Sequence, residues 1–482
     1  MEKDTICALA TAPCGALGII RISGEKPLEI LSHIFSKDLT NAHPNTIHYG
    51  YILNDSEIID EVMVSVFRAP HSYTGEDCVE ISCHGSRYIL NKVLELLIAN
   101  GCRMANPGEF TQRAYLNGKL DLSQAEAVAD LIASTNKATH QMAMSQLRGG
   151  ISTELSRLRD QLLKLTSLLE LELDFSDHED LEFANRTELL ELAIKTDERI
   201  TRLAESFHAG NALKNGIPVA IVGAPNVGKS TLLNALLGEE RAIVSDVQGT
   251  TRDAIEDTIL LDGITFRFID TAGIRHTDDP IELMGIQRTY AAIDKASIVL
   301  WLIDAEPTNE EITDITARCE GRSLIPVWNK SDLLSPCPVC CDIITAPIPI
   351  SAKHGQGLDT LRQQLLDAAP QLPDNDVVVT NARHYDALCR AHNHIQRVLD
   401  GLGATKYSPL GHCSLATERL RIGDRITGMG TQEYSTLKSQ LPTDLVAEDL
   451  RLTLDALAEI TGGQITPNEV LGNIFKNFCI GK

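Results

Sequence analysis

The stretch that most constrains the fold of this chain is residues 223–230, Gly-Ala-Pro-Asn-Val-Gly-Lys-Ser. The apolar residues 219–222 precede it, and residues 231–237, which have the apolar spacing of a helix, follow it. A strand, a glycine-rich loop and a helix in this order are the context of a phosphate-binding loop, whose backbone N–H groups surround phosphates at the helix start. A chance glycine-rich turn is the alternative. The context favours a P-loop α/β domain.

Three further motifs follow, each after an apolar strand. They are Asp-Thr-Ala-Gly at 270–273, Asn-Lys-Ser-Asp at 329–332 and Ser-Ala-Lys at 351–353. Lys229 is expected to reach the β and γ phosphates, Ser230 to bind Mg²⁺, and Asp270 to bind Mg²⁺ through water. The Gly273 amide would approach the γ phosphate.

The last two motifs select the base. Asp332 can accept hydrogen bonds from both the N1–H and the exocyclic amine of guanine, a pairing that adenine does not offer. The Ser-Ala-Lys backbone supplies a donor to the base oxygen. The sequence therefore predicts binding of GTP in preference to ATP.

Catalysis is where the sequence departs from small signalling GTPases. Those proteins carry Gln after Asp-Thr-Ala-Gly to position the attacking water, whereas this chain has Ile274, whose side chain forms no hydrogen bond. The nearest downstream candidate is Glu282, although a solvated acid at a helix start is an equal alternative. Asn226 and residues 249–253 offer oxygen ligands for a monovalent cation, which could supply the charge of an arginine finger.

Charge and hydropathy limit the partners. The 482 residues include 43 Lys and Arg against 66 Asp and Glu, a formal net charge of −23. This balance argues against a surface that binds nucleic acid or anionic membrane everywhere, so any RNA contact is expected to be local. The sequence has no run of about 18 apolar residues and no basic signal-peptide start, which predicts a cytoplasmic protein without membrane attachment.

The 12 cysteines are scattered along the chain, as buried thiols of a reducing compartment usually are. Cys337, Cys340 and Cys341 look like half of a zinc site. No second pair of ligands follows at the required spacing, so we predict no metal there.

Helical and mixed segments alternate in a way that predicts several domains. Residues 1–118 mix strand and helix signals, long helices begin near residue 122, an α/β block follows Asn215-Gly216, and helices return after residue 376. Neither helical part can bury its apolar face alone, so we predict one domain inserted into another. The predicted divisions are 1–118, a first helical part 119–213, an inserted domain 214–375 and a second helical part 376–482.

Other motifs extend over the whole chain: Thr74-Gly-Glu-Asp77, residues 106–113, residues 117–126, Asn381-Ala-Arg-His384 and Cys479-Ile-Gly-Lys482. Together with the nucleotide motifs they resemble the bacterial tRNA modification GTPases MnmE, also called TrmE. The similarity is weakest in residues 401–440, where nothing is carried over. The resemblance implies an N-terminal α/β domain that binds tetrahydrofolate and dimerises, a central helical bundle, and a Ras-like P-loop GTPase domain inserted in it.

The resemblance also implies an activity. Members hydrolyse GTP with K⁺ bound while two GTPase domains pair, and with the flavin protein MnmG (GidA) they install an aminomethyl or carboxymethylaminomethyl group at C5 of the wobble uridine of certain tRNAs. The one-carbon donor would be 5-formyl- or 5,10-methylene-tetrahydrofolate. The implied assembly is a homodimer that forms a heterotetramer with MnmG and binds tRNA, with FAD on MnmG.

Site residues follow from the resemblance by position. Glu282 would orient the water, Ser230 and Thr251 would hold Mg²⁺, and K⁺ would be bound by the oxygens of Asn226, Ser245, Val247 and Thr250. GTP would contact a larger set: Asn226, Val227, Gly228, Lys229, Ser230, Thr231, Ser245, Asp246, Val247, Gln248, Gly249, Thr250, Thr251, Asp270, Thr271, Ala272, Gly273, Asn329, Lys330, Asp332, Ser351, Ala352 and Lys353.

Arg21, Glu80, Lys119 and Lys482 match the family's folate ligands. A pterin presents an amide-like edge that suits a carboxylate, and its glutamate tail suits cations. From the residues alone, the stronger interpretation is that Arg21 and Glu80 are ordinary strand charges and Lys119 is a surface lysine, because charged side chains are mostly exposed.

Cys479 is fourth from the C-terminus, a position that invites prenylation, but Gly481 and the final Lys482 do not fit that signal. A buried thiol beside Phe475 and Phe478 is a second interpretation. We favour a third, in which the tail follows a helix over 468–475 and reaches the folate site, with Cys479 as a candidate catalytic residue near the one-carbon unit.

Two other function classes remain open at this point. One is a GTPase that acts as a ribosome-assembly switch, and the other is a dimeric scaffold whose GTPase domain is only a clock. The first usually carries an RNA-binding module, and no KH loop or RRM aromatic pair stands out outside the P-loop block. Folate binding and K⁺ dependence would discriminate among them.

Overall fold

The structure is a computed structural model that describes residues 4–12, 15–174, 186–239, 257–269, 290–333, 346–370, 377–402, 443–463 and 481. The chain forms two compact units. The first joins Met1–Ala133, Ala143–Ala204 and Arg383–Lys482, and the second joins Ser134–Met142 to Glu205–Ala382. This two-way division does not separate the N-terminal part from the helical part, so the predicted domain boundaries stay a prediction.

The first unit begins with a six-stranded sheet in the order β3-β4-β5-β2-β1-β6. Neighbouring strands are antiparallel except for β1 and β6. Every second residue of β4 from Asp60 onward is buried, as expected when one face of a sheet is covered. Helices Pro27–Ser32 and Arg87–Ala99 supply core residues on that face. The strands are β1 (Ile6–Leu9), β2 (Leu17–Gly24), β3 (Thr46–Asn54), β4 (Glu57–Phe67), β5 (Asp77–His84) and β6 (Arg103–Met104).

The remaining regular elements in the described residues of the first unit are helices. Leu155, Leu158, Leu162 and Leu165 recur at intervals of three and four and are buried, the pattern of an amphipathic helix. Helix Thr443–Thr461 packs against helix Gly150–Asp174, so the helical parts before and after the inserted stretch share one core. The other helices are Glu109–Leu116, Leu122–Ala133 and Ala382–Gly401, with Lys137–Leu147 and Arg186–Asn215 contributing residues to both units. None of the helices in the described ranges is long and apolar enough to cross a membrane.

The second unit is built on a six-stranded sheet in the order β12-β11-β10-β7-β9-β8, parallel except for the pair β8 and β9. Every residue of β10 is buried. Leu300 and Leu302 enter one apolar core and Val299 and Trp301 another, as in a parallel sheet covered on both faces. The strands are β7 (Ile217–Gly223), β8 (Asp257–Leu261), β9 (Ile264–Phe268), β10 (Ile298–Ile303), β11 (Ser323–Trp328) and β12 (Ile348–Pro349), with helices Lys229–Glu239, Asn309–Arg318 and Leu358–Asp367.

Candidate functional site

The phosphate-binding loop lies between β7 and helix Lys229–Glu239, in the predicted context. Gly223 and Gly228 have φ values of 151° and 104°, which glycine adopts without strain. A Cβ atom at Gly223 would collide with the Leu302 carbonyl, and one at Gly228 with the Asn329 side chain. Close approach of neighbouring strands and loops therefore requires glycine at both positions.

Lys229 folds back over this loop. Its Nζ donates to the carbonyl oxygens of Gly223 and Ala224 at 2.8 and 2.9 Å. Burial lowers the pKa of the Lys229 amine, because loss of water disfavours its charged form. A phosphate at this helix start would offer the amine an anionic partner, and the first-turn N–H groups next to Ser230 and Thr231 would face the same anion.

Asn329 joins the phosphate loop to the base-recognition segment. It directly follows β11 and is 3% exposed. Its Nδ2 donates to the Val227 carbonyl at 2.7 Å, and its Oδ1 accepts from the Ala352 N–H at 3.1 Å. One buried amide thus ties together three segments that follow β7, β11 and β12, at the carboxyl edge where open α/β sheets bind ligands.

Lys330 adds a second link. Its Nζ donates to the Asn226 carbonyl at 3.0 Å and to Asp304 Oδ2 at 2.7 Å. Both Lys330 and Asn226 have a φ of 60°, a left-handed conformation that side chains rarely adopt. Such strain is retained where the surrounding contacts over-determine the backbone, as at ligand sites.

Asp332 is held as an anion. Ser351 Oγ donates to its Oδ1 at 2.7 Å, and this hydrogen bond is the main reason that the pKa of the Asp332 carboxyl lies below its usual value. His354 Nε2 lies 3.6 Å from Oδ2. An ionised carboxylate only accepts hydrogen bonds, which suits the two donors on the guanine edge.

The described part of the predicted nucleotide site therefore meets at one edge of the sheet: residues 226–231, Asn329, Lys330, Asp332, Ser351, Ala352 and Lys353. The other predicted residues lie outside the described residues, and their roles stay predictions: Ser245, Asp246, Val247, Gln248, Gly249, Thr250, Thr251, Asp270, Thr271, Ala272, Gly273 and Glu282. The same holds for Cys337, Cys340 and Cys341. Within the described ranges no cluster of side chains has the makeup of a metal site.

Arg21 and Glu80 form a second candidate site in the first unit. They face each other across β2 and β5, and Arg21 Nε donates to Glu80 Oε1 at 2.9 Å. The Arg21 guanidinium also lies 5.3 Å from the ring centre of Tyr73 and 5.7 Å from that of Phe110. Aromatic faces attract a guanidinium at such distances, so a cation, a carboxylate and two rings are brought together.

Gly481 also contacts this site. Arg21 Nη1 donates to the Gly481 carbonyl at 3.2 Å, and Gly481 approaches β1 so closely that a Cβ atom would collide with the Leu9 carbonyl. Lys119 Nζ donates to the Pro70 carbonyl at 3.0 Å, and in the described structure no hydrogen bond or ion pair joins it to Arg21 or Glu80. Lys482, Cys479 and the helix predicted over 468–475 lie outside the described residues.

Sequence reasoning missed Tyr73, Phe110, Gly481 and Asp304. Tyr73 directly precedes the Thr74-Gly-Glu-Asp77 motif, and Phe110 lies within residues 106–113. Neither residue is near Arg21 in the sequence, so no local pattern predicts the contact. Tertiary folding brings the two rings to Arg21.

Comparison with known proteins agrees with this architecture. A family model described as "MnmE helical domain" matches residues 122–479, and one described as "GTP-binding protein TrmE N-terminus" matches residues 5–119. The predicted fold class, with an N-terminal α/β part, a helical part and an inserted P-loop part, is confirmed.

Individual relatives match over the full length. The tRNA modification GTPase MnmE of Phocaeicola vulgatus is 51% identical, with 100% of this chain and 99% of that protein covered. The protein of the same name from Flavobacterium johnsoniae is 47% identical, with 100% of each covered. Among solved structures, the G domain of the T. maritima FeoB iron transporter is 23% identical and covers 32% of this chain and 99% of that chain. Its TM-score is 0.24.

Proposed function

The chain belongs to the MnmE family of tRNA modification GTPases, and we propose that it is the GTP-hydrolysing component of a complex that adds an aminomethyl or carboxymethylaminomethyl group to C5 of the wobble uridine of certain tRNAs. The observation that supports the nucleotide part most is the Asn329 amide, which fixes the phosphate loop against the base-recognition segment. The tRNA part is supported by the names of the full-length relatives.

In this proposal the described residues perform the binding steps. The start of helix Lys229–Glu239 receives the phosphates through its first-turn N–H groups, and Lys229 exchanges its carbonyl partners for phosphate oxygens. Asp332 accepts hydrogen bonds from guanine, and the backbone of residues 351–353 offers a donor to the base oxygen. Because Asn329 connects both halves, binding the base and ordering the phosphate loop stabilise each other.

The described residues include one proposed ligand for each of the two cations, Mg²⁺ and K⁺. Ser230 stands in the first turn of the helix, where a hydroxyl ligand of Mg²⁺ is expected. Asn226 is exposed, so its side-chain oxygen is accessible to K⁺. The proposed further ligands are Thr251 for Mg²⁺ and Ser245, Val247 and Thr250 for K⁺. When bound, the cations would neutralise phosphate charge that builds up in hydrolysis.

For the folate we propose the site around Arg21. Glu80 would receive the amide-like edge of the pterin, the rings of Tyr73 and Phe110 offer stacking surfaces, and Lys119 and Lys482 would attract the glutamate tail. Arg21 holds Glu80 in place and connects it to Gly481. Cys479 is two residues before Gly481 in the chain, which supports the proposal that it acts near the one-carbon unit.

The proposed assembly is a homodimer that joins the FAD-dependent MnmG (GidA) in a heterotetramer and binds tRNA in the cytoplasm, without membrane attachment. Apolar side chains on the open face of β3 and β4 support a dimer, since exposed apolar patches mark interaction surfaces. Ile47, Tyr49, Ile58 and Met63 are 68, 52, 60 and 52% exposed.

The decisive experiment is mass analysis of wobble uridines in tRNA from cells that lack this protein. We expect the modified uridine to disappear and to return when the wild-type chain is supplied. Unchanged uridines would refute the tRNA part of the proposal. Purified protein should also bind 5-formyl-tetrahydrofolate, and failure to bind it would favour a ribosome-assembly switch.

The hydrolysis machinery has a separate test. Replacing K⁺ by Na⁺ should slow GTP hydrolysis, because the proposed oxygen ligands around Asn226 are spaced for K⁺ and Na⁺ is smaller. Glu282→Ala should retain GTP binding and lose turnover. Glu310→Ala, which changes an exposed acid in the first turn of helix Asn309–Arg318, is the control and is expected to keep both. Full turnover of Glu282→Ala would remove the water-orienting role.

A further inference from the structure

Asp304, which belongs to none of the nucleotide motifs, lies at the same edge of the sheet as the nucleotide site. It directly follows β10. In the sheet, β10 is between β7, which leads into the phosphate loop, and β11, which leads into Asn329 and Lys330. The carboxyl ends of these parallel strands form the edge where open α/β sheets bind ligands. Asp304 therefore lies between the two segments that together form the described part of the nucleotide site.

The Asp304 carboxylate is paired with the Lys330 ammonium. Lys330 Nζ donates to Asp304 Oδ2 at 2.7 Å, and the side chains of Lys330 and Asp304 are 38% and 29% exposed. A hydrogen bond between two charged groups at this distance is stronger than one between neutral groups. Because both side chains are partly shielded from water, we expect this pair to be better maintained than a fully exposed ion pair.

The same ammonium contacts the phosphate loop. Lys330 Nζ donates to the Asn226 carbonyl at 3.0 Å, and Asn329 Nδ2 donates to the next carbonyl, that of Val227, at 2.7 Å. Two consecutive residues after β11 thus bind two consecutive carbonyls of the loop. A lysine ammonium is a point charge on a flexible side chain, so its position depends on its partners. Asp304 is the anionic partner that fixes it.

The backbone of Asn226 depends on contacts of this kind. Its φ of 60° lies in the left-handed region, and Lys330 has the same φ. Residues with a Cβ atom rarely adopt this conformation and retain it where surrounding contacts stabilise it. If the contact between Lys330 and the Asn226 carbonyl is lost, the loop can relax toward a more common conformation. That change would move the following N–H groups, which face the phosphates at the helix start.

We infer that Asp304 is a positioning residue of the nucleotide site. It holds the Lys330 ammonium against the Asn226 carbonyl and so keeps the phosphate loop in the conformation that binds phosphates. Asp304 acts through Lys330 and not through a contact of its own with the nucleotide. The inference rests on the proposed nucleotide site, to which it adds a residue that lies outside the motifs.

Two substitutions distinguish this role from a general effect on stability. Asp304→Asn keeps the shape of the side chain and removes its charge, and Lys330→Met removes the ammonium and keeps most of the apolar stem. If Asp304 acts through Lys330, adding Asp304→Asn to Lys330→Met should weaken nucleotide binding no further, because no ammonium is left to position. Two independent contacts would instead have effects that add.

Asp314→Asn is the matched control. Asp314 accepts from Arg318 Nε at 2.9 Å, and both residues belong to helix Asn309–Arg318 of the same unit. The substitution therefore also removes the charge of an aspartate that is paired with a cation. This pair lies within one helix and connects no segment of the nucleotide site.

The experiment measures the rate at which a fluorescent GDP analogue dissociates from the full-length protein, together with the melting temperature of each variant. For Asp304→Asn we expect dissociation to be about tenfold faster than for the wild type, which is the usual effect of losing a hydrogen bond between charged groups. Lys330→Met should also release the analogue faster, and the double variant should match it. Asp314→Asn should release the analogue at the wild-type rate.

A wild-type dissociation rate in Asp304→Asn would overturn the inference, and additive effects in the double variant would do the same. If Asp304→Asn does not fold, Asp304→Glu replaces it, because the longer side chain keeps the charge and displaces the carboxylate by one methylene. A wild-type rate in that variant would also overturn the inference. If the wild-type protein does not bind the GDP analogue, the proposed nucleotide site fails and the inference fails with it.

Discussion

At Asn329 a single side chain serves three segments of the nucleotide site. Its amide donates to Val227 and accepts from Ala352, and both atoms of the amide are used inside the protein. Asp332, three residues later, has an oxygen fixed by Ser351 and is partly exposed. Within this motif, Asn329 therefore holds the segments of the site together, and Asp332 is available to bind the base.

We predict that Asn329→Ala weakens GDP and GTP binding by tenfold or more, because it leaves the Val227 carbonyl and the Ala352 N–H unpaired at about 1–3 kcal/mol each. The dissociation constant for a fluorescent GDP analogue measures this. Asn215→Ala is the control, since Asn215 is exposed and its side chain donates to Asn211. If Asn329→Ala binds the GDP analogue as tightly as the wild type does, Asn329 does not stabilise the nucleotide site by connecting its segments.

Asp332→Asn should change the base preference. The carboxylate accepts from two guanine donors, and an amide can satisfy one of them while its N–H₂ meets the other. Loss of hydrogen bonds to a charged group should weaken GTP binding roughly a hundredfold. The variant should bind xanthosine triphosphate more tightly than the wild type does, because that base has a carbonyl at C2 that can accept from the new amide. Competition assays with both nucleotides measure the switch, and the exposed Asp359→Asn should keep the wild-type order.

At the scale of elements, charge fixes helix Glu109–Leu116 to the sheet. Arg113, 9% exposed, donates from Nη2 to Asp4 Oδ1 at 2.6 Å and to Glu109 Oε1 at 3.0 Å. Arg103 of β6 donates to Asp4 Oδ2 at 2.6 Å and to Glu109 Oε2 at 3.1 Å. Burial alone would raise the pKa of both carboxyls, but hydrogen bonds from the arginines outweigh it and both pKa values are lowered.

This network predicts an acid-sensitive first unit. A lowered carboxyl pKa stabilises the fold above the unfolded pKa, and that stability is lost as pH falls through the folded pKa. Since unfolded Asp and Glu titrate near pH 4, the melting temperature should fall steeply below about pH 4. Glu109→Gln should melt lower at neutral pH and lose less on acidification. Melting curves from pH 3 to 7 test this. Glu95→Gln, which changes an exposed carboxylate, is the control and should melt as the wild type does. An equal loss of melting temperature on acidification in Glu109→Gln and wild type would contradict the prediction.

At the scale of the whole molecule, the open face of β3 and β4 is more apolar than a solvent-facing sheet requires. Tyr49 and Met63 lie directly opposite each other across the two strands, and Tyr49 packs edge-to-face on Tyr51 at 6.0 Å. A second copy of the chain would bury these side chains, which is the physical basis for the proposed homodimer.

Met63→Glu should therefore shift the protein from dimer to monomer, because a buried unpaired carboxylate opposes association. Light scattering gives the mass in solution. Ile98→Glu places the same charge on a 44% exposed apolar residue of helix Arg87–Ala99 and should leave the mass unchanged. If Met63→Glu keeps the mass of a dimer, the dimer interface does not include this face of β3 and β4.

The sequence by itself determined the secondary structure around the motifs and the identity of the nucleotide. The apolar runs near residues 219 and 325 became β7 and β11, and the break at Asn215-Gly216 ends helix Arg186–Asn215. These features were predictable because periodicity, glycine chemistry and strand ends act over a few neighbouring residues.

Only the tertiary structure decided which distant side chains meet. Arg383 pairs with Glu126 across 257 residues of chain, and Arg21 meets Gly481 across 460. No local pattern encodes such partners, because they depend on how separately formed helices and strands pack to bury their apolar faces. The motifs Asn381-Ala-Arg-His384 and Cys479-Ile-Gly-Lys482 were visible in the sequence, but the fold alone connects the first to Glu126 and the second to the Arg21 site.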